Sequence, residues 1–359
     1  MNGDVTELPE RNLDLLRAAA VTSVLISHVA YASGLRDRMP WFVQLGRIGV
    51  AAFFVHTSLV LMGSLERHRT DHWVRDFYIR RAFRIYPLSI AAICFVLAMR
   101  MPTMVPVLDG TIRTFVPPST STVLSNLALV QNLTGREDLL SVLWTLPLEV
   151  QMYVALPLCF LVARTRPRLL AGLFVVGMAV GAAQAARPGL FPGFWRLTTL
   201  PYVPCFIAGV VAYALLRRRP GAQLAATWWL PLLFAWIATA CWGFDRVDDG
   251  SVPWPSWIFC AGLGLAIPYV SNIAPGRFAT ACGTIAKYSY GIYLLHVPAL
   301  WIGLVAFRWL PPAGQWTVFV VALVTTTVLG YHLIEKPGIS LGVRLVRPRH
   351  PLPEVAPGV

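Results

Sequence analysis

The sequence predicts an all-α integral membrane protein with about ten transmembrane helices and both termini in the cytoplasm. Three observations carry this reading. Of 359 residues, 56% are hydrophobic and only 13% are charged, whereas a soluble domain holds about a quarter charged residues; mean hydropathy is +0.61. Apolar runs near bilayer-spanning length recur along the whole chain. Arginine is concentrated in alternate loops, as the positive-inside rule requires.

Taken in order, the first residues, MNGDVTELPERN, are polar, have no A-x-A-like cleavage site and lead into a retained apolar run, so residues 1–12 read as a cytoplasmic segment without a cleavable signal. The expected spans are 13–33, 46–64, 84–101, 142–163, 169–186, 200–216, 225–243, 253–271, 283–307 and 316–334. Between the third and fourth, the segment 121–133 (STVLSNLALVQNL) is too short to cross and reads as an interfacial or re-entrant helix. With a cytoplasmic N-terminus, ERHRTDHWVRDFYIRRAFR, RTRPR, RRRPG and the closing RLVRPRH fall inside, and the acidic GFDRVDDGS falls outside. Arg36, Arg38, Arg113 and Arg187 break that bias without reversing it. One membrane domain, 13–337, therefore fills the chain, with a basic cytoplasmic tail over 338–359 and no repeat or appended soluble domain.

The net charge of +13 reflects basic loops rather than nucleic-acid binding, and it is almost all arginine, since Lys287 and Lys336 are the only lysines. The six cysteines lie in or beside apolar runs without C-x-x-C spacing and read as small core residues, with neither disulfide nor metal role.

Several polar groups sit where burial is costly. Arg17 and His28 are eleven positions apart on the first span. That is about three full turns, so they share a helix face, separated by ~16 Å along the axis. Arg17 lies near the cytoplasmic end and admits the simple reading of an interfacial, snorkelling arginine; two such groups on one stripe point instead to a functional cavity. Glu149 lies about two turns into the fourth span from the outer side, at a depth similar to His28. A hydrogen-bonded Glu149–His28 pair would satisfy both and strengthen the histidine as a base. Arg80, Arg81 and Arg84 precede the third span, Arg80 and Arg84 on one face at i, i+4 and Arg81 beside Arg84 at i, i+3. They suit either a topology signal or a phosphate site, since guanidinium forks bind phosphate bidentately. His56 and His296 lie within spans, each with the alternative of a satisfied core histidine. Glu335 and Lys336, ending the last span, read as an interfacial pair or stop signal.

These pieces resemble, in order, the acyltransferase 3 family of integral membrane acyltransferases, which includes O-antigen and peptidoglycan O-acetyltransferases, rhizobial exopolysaccharide and Nod-factor acetylases, and macrolide 3-O-acyltransferases. LDLLRAAAVTSVLISH is similar to LDGLRAxAxxxVxxxH, with its Arg-x10-His signature at Arg17 and His28. FYIRRAFRIYPL resembles FYxRRxxRIxPxY, LWTLPLEVQMYVALPL resembles WSLxxExQFYLxxPL, YSYGIYLLHVP resembles SYxxYLxHxP, and HLIEKP matches a closing ExP element. The likeness runs from Leu13 to about Pro337. The chain departs from the family at FFVHTSL, where FFVLSGF is usual, so that His56 is extra and Ser58 replaces a glycine; a familiar second glutamate is here Val150.

The resemblance implies transfer of an acyl group, usually acetyl, from cytoplasmic acyl-CoA as co-substrate to a hydroxyl of a carbohydrate or glycoside, without a metal, in a bacterial inner membrane. It implies His28 as general base assisted by Glu149, or as a transient acyl carrier. Arg17, Arg80, Arg81 and Arg84 would bind the donor, and Trp144, Gln151, Tyr153, His56 and His296 the acceptor side. A proton-coupled transporter or flippase would also use matched intramembrane charges, but no inverted repeat or paired broken helices are visible. A non-catalytic scaffold leaves the costly charges unexplained.

Overall fold

In the computed structural model, residues 8–35, 38–39, 41–68, 71–102, 114–186, 199–218, 223–244 and 254–346 are described. The expectations for Arg36, Arg113, Arg187, the acidic stretch 245–251, the first seven residues and the tail beyond 346 fall outside them.

Among the described residues the chain is helical throughout, with no strand; one isolated bridge joins Leu224 to Val270. The helices are α1 (Glu10–Ala32), α2 (Trp41–Arg67), α3 (Trp73–Ala98), α4 (Thr120–Leu127), α5 (Gln131–Thr134), α6 (Thr145–Thr165), α7 (Leu169–Ala186), α8 (Val203–Leu216), α9 (Trp229–Phe244), α10 (Trp254–Ala266), α11 (Arg277–Trp301), α12 (Pro312–Gly330) and α13 (Lys336–Val346). π-helical turns follow α11 at Ile302–Ala306 and α12 at Tyr331–Glu335. Each expected apolar segment lies on a helix, and six helical stretches are long and apolar enough to cross a membrane: Glu10–Ala32, Gln44–Arg67, Trp73–Ala98, Ser141–Thr165, Arg277–Ala306 and Pro312–Val346. Exposed side chains such as Val320, Val321 and Val324 on α12, Val175 and Val176 on α7, and Leu230 and Phe234 on α9 make an apolar outer surface, as lipid contact requires.

The third helix corrects the sequence reading. It begins at Trp73 rather than near residue 84, so Arg80, Arg81 and Arg84 lie inside it, about two turns beyond its start, instead of before it. Arginine is a good helix former, and hydropathy takes its charge for the end of a span. The segment expected as one interfacial or re-entrant helix is two short helices, α4 and α5, separated by a break at Leu129 (φ 55).

Helix contacts fix relative directions. α2 runs antiparallel to α1, Gly49 facing Ala20 and Gly46 facing Ser27. α11 runs in the same sense as α1, Ser289 meeting Arg17 and His296 meeting His28. α12 returns against α11, Gly291 facing Thr327 and Gly303 facing Phe319. α3 opposes α6 through Trp73–Phe160 and Phe77–Tyr153. α8 lies parallel to α2 through Phe54–Phe206 and the Glu66–Arg217 ion pair. Each sense matches a chain that reverses between successive apolar helices. At the end where α1 begins, the Asn12 amide donates to the carbonyls of Val270 (3.0 Å) and Ser271 (3.2 Å) and its oxygen accepts from the Ile273 N–H (3.0 Å), tying the chain's start to the α10–α11 connection.

Candidate active site

Residues from α1, α2, α3, α6 and α11 surround a cavity. Arg17, Arg81 and Arg84 line it, opposed by Glu149, with His56, Tyr153 and Tyr290 completing the wall. Two of the three guanidiniums are already engaged. Arg17 donates from Nε to Ser289 Oγ (2.5 Å) and lies 5.6 Å over the Phe53 ring. Arg84 Nη1 pairs with Glu335 Oε1 at 3.0 Å, and Glu335 is fully buried. Glu149 accepts a hydrogen bond from the Tyr153 hydroxyl, one turn further along α6. Arg81 Nε and His56 Nδ1 are buried without a hydrogen-bond partner.

A second, apolar cavity adjoins the first and shares Phe53, Glu149 and Tyr290 with it. Val24, Thr145, Leu146 and Tyr293 extend its lining. The Tyr293 hydroxyl donates to the Val142 carbonyl (3.0 Å) and lies 2.7 Å from Thr145 Oγ1, which holds α11 to the start of α6. Glu149 thus stands where a charged cavity meets an apolar one.

One turn beyond Val24 and Tyr293 lie two histidines, His28 and His296, with ring centroids 4.8 Å apart in edge-to-face packing. His28 Nδ1 is 3.0 Å from the Val24 carbonyl, and His296 Nδ1 is 2.9 Å from the Ile292 carbonyl. A carbonyl only accepts, so in both rings the Nδ1 carries a proton, and in the neutral imidazole Nε2 keeps its lone pair. His296 is fully buried and its Nε2 has no partner.

The expected Glu149–His28 hydrogen bond is absent. Glu149 lines a cavity with Arg17 and another with Val24, which places it between those levels and short of His28. Similar depth does not make contact; the histidine's neighbour is set by rotation about α1, and that neighbour is His296. The shared face predicted for Arg17 and His28 does appear, since both meet α11.

Other candidates divide. Tyr153, His56, Arg81 and Arg84 join Arg17 and Glu149 in the charged cavity. Arg80 does not line it, although its Nε and Nη2 are buried without partners. Trp144 packs on Tyr202 at 5.6 Å. Gln151 spends both ends of its amide on protein, donating to Asn132 Oδ1 (3.0 Å) and accepting from the Thr199 hydroxyl. Glu335 was expected at the interface with Lys336; instead it is buried against Arg84. Pro337, which has no N–H to offer the carbonyl four residues back, loosens the helix there, and the π turn Tyr331–Glu335 aims Glu335 inward. Ser289 and Tyr293 were individually inconspicuous, yet with the candidate His296 their i, i+4, i+7 spacing marks one polar stripe on α11.

A family model described as an acyltransferase domain matches residues 10–335. The chain belongs to the acyltransferase 3 family. It is 25% identical to Nodulation protein 10 of Rhizobium leguminosarum bv. viciae over 362 residues, covering 94% of this chain and 95% of that protein. No solved structure matches it. Family and helices together make it a multi-pass membrane acyltransferase.

Proposed function

We propose that this acyltransferase moves an acyl group, most simply acetyl, from cytoplasmic acyl-CoA to a hydroxyl of a carbohydrate or glycoside at a bacterial inner membrane, with both chain termini in the cytoplasm. The observation that carries the reading is the order of environments inside one helical body: guanidiniums, then Glu149, then an apolar cavity, and one turn beyond its lining two histidines whose Nδ1 atoms are held by backbone carbonyls. A CoA molecule has the same order, with phosphates at one end, a thin pantetheine arm, and a thioester at the other.

Arg81, Arg84 and Arg17 would hold phosphate oxygens at the cytoplasmic side, where guanidinium forks act in a partly dehydrated setting. The arm would lie along Phe53, Val24 and Leu146. His28 Nε2 would take the proton of the acceptor hydroxyl as its oxygen attacks the thioester carbonyl. The C–S bond then breaks, and the CoA thiolate takes that proton from the imidazolium, leaving the histidine as it began. The Val24 carbonyl holds the ring by its Nδ1–H and keeps the reacting nitrogen unprotonated. Glu149 balances the guanidinium charge at the junction instead of touching His28. Trp144 and Gln151 support the acceptor side from outside both cavities.

The test is acetyl-CoA binding and thioester hydrolysis by the protein in nanodiscs, which requires no knowledge of the acceptor. Wild type should bind and slowly hydrolyse acetyl-CoA, Arg81→Ala should weaken binding, and His28→Ala should bind without turnover. A wild-type protein that neither binds nor consumes acyl-CoA would sink the proposal and direct attention to solute flux in proteoliposomes.

A further inference from the structure

His56, in the stretch FFVHTSL, faces the arginine cavity. The imidazole is 5% exposed, and its Nδ1 is buried with no hydrogen-bond partner. An unsatisfied buried nitrogen costs about 1–3 kcal/mol, which leucine, the usual residue there, would avoid. Arg81 Nε, across the cavity on α3, is likewise buried and unpartnered. Arg17 and Arg84 have protein partners, and Glu149 has the Tyr153 hydroxyl.

We propose that His56 and Arg81 form a phosphate-oxyanion subsite, and that His56 takes up a proton when a phosphate dianion enters. This deepens the donor-binding reading above and rests on it for the identity of the ligand. The charges argue for the proton. Arg17, Arg81 and Arg84 face Glu149 and the buried Glu335, with Tyr153 and Tyr290 the other titratable groups on the wall. Three guanidiniums against two carboxylates leave one net positive charge. A phosphate dianion exceeds that by one charge, and a protonated imidazole restores balance. The imidazolium then donates to the oxyanion, which removes its unsatisfied nitrogen.

The test is calorimetric binding in nanodiscs at pH 6 and pH 8, in two buffers of different ionisation heat, for wild type, His56→Leu and His56→Gln. The probes are CoA, 3′-dephospho-CoA and inorganic pyrophosphate, which separate the terminal phosphate from the diphosphate. Wild type should take up close to one proton per CoA and so bind up to about a hundredfold more tightly at pH 6 than at pH 8, as linkage at a single titrating site requires. His56→Leu should fold at least as stably, still bind CoA, and lose both the uptake and the pH dependence. His56→Gln should lose the uptake but bind at pH 8 better than the leucine variant. Wild-type binding without uptake, or uptake that persists in His56→Leu and so belongs to Glu149, overturns the proposal. If wild type ignores CoA but binds pyrophosphate with uptake that His56→Leu abolishes, the subsite stands and the acyl-CoA reading falls.

Discussion

Two sets of helices in this protein differ in what they bring into the membrane. The stretches Glu10–Ala32, Gln44–Arg67, Trp73–Ala98, Ser141–Thr165, Arg277–Ala306 and Pro312–Val346 are long, and every candidate site residue, with Glu335, lies on them. Helices α7, α8, α9 and α10 are shorter, at 18, 14, 16 and 13 residues, and contain no Asp, Glu, Lys or Arg. The first set holds charges that need partners and cavities; the second set carries none and packs through apolar and small side chains, as at Gly209 against α2 and Trp236 against Phe259. The physical lesson is a division of labour. A buried guanidinium or carboxylate is tolerated where several long helices converge to pair it, and the remaining helices hold those long ones in place. Substitutions of the first-set groups that line the cavities should therefore cost activity with little stability, and those in the second set the reverse.

The largest effect expected is on His28. His28→Ala should lower acyl transfer by about 10²- to 10⁴-fold, the range for loss of a general base, while the thermal midpoint in detergent stays near that of wild type. Equal loss of stability would place His28 in the packing set and remove the contrast.

In the second set, Gly209 on α8 is the sharpest probe. A Cβ there would stand 2.0 Å from Ser58 Oγ and 2.2 Å from the Val55 carbonyl oxygen on α2. Gly209→Ala should therefore destabilise by about 1–3 kcal/mol, the cost of overpacking, seen as a lower unfolding midpoint and folded yield. Ser58→Gly, which restores the usual family residue, should rescue only part of this, since the backbone clash with Val55 remains. The pair also shows how the chain accommodates its own departure: Ser58 is larger than glycine, and the glycine across the interface receives it. Complete rescue by Ser58→Gly would mean that the helices can separate at no cost.

Glu335→Gln tests whether the long set is charge-balanced. Breaking a buried pair costs about 3–5 kcal/mol; with Arg84 partly open to the cavity, we expect nearer 2 kcal/mol, since solvent weakens exposed pairs. Donor affinity should hold or rise, because the cavity gains a positive charge. A fall in affinity with unchanged stability would mean that Glu335 contacts the ligand side rather than neutralising Arg84.

The contrast between the sets was half legible in the sequence. Apolar length and arginine placement locate the helices, since both are local properties of the chain, and the Arg17–His28 stripe follows from helical periodicity alone. The α3 start was not legible, because its first turns carry arginines that count as helix formers in structure and as loop in hydropathy. Nor were the partners. Depth can be read from span boundaries, but the direction in which a side chain points depends on how helices are rotated against each other, so His28 was matched to Glu149 instead of His296. Glu335 was missed because a charge at the end of a span resembles an interface residue, and the π turn that rotates it inward has no pattern of its own.

Gln151 carries the smallest expected effect and bears most directly on how motifs should be read. It lies two residues after Glu149, in the stretch that resembles the family's ExQ, and that nearness suggests a hand on the substrate. Its amide instead bridges Asn132 on α5 and Thr199 before α8, joining the α4–α5 segment to a member of the short set. Gln151→Ala should thus remove two hydrogen bonds and cost about 1–2 kcal/mol of stability, with acetyl-CoA hydrolysis changed by less than about threefold. Gln151→Glu should cost more than alanine's loss of contact alone, because a carboxylate keeps the acceptor for Thr199 and loses the donor for Asn132 while adding charge in an apolar setting. The decisive readout is the split between stability and kinetics. If Gln151→Ala leaves the unfolding midpoint intact and raises KM for the acceptor tenfold or more, the residue belongs with the long helices' chemistry, and the boundary between the two sets moves to include the α6–α8 contact.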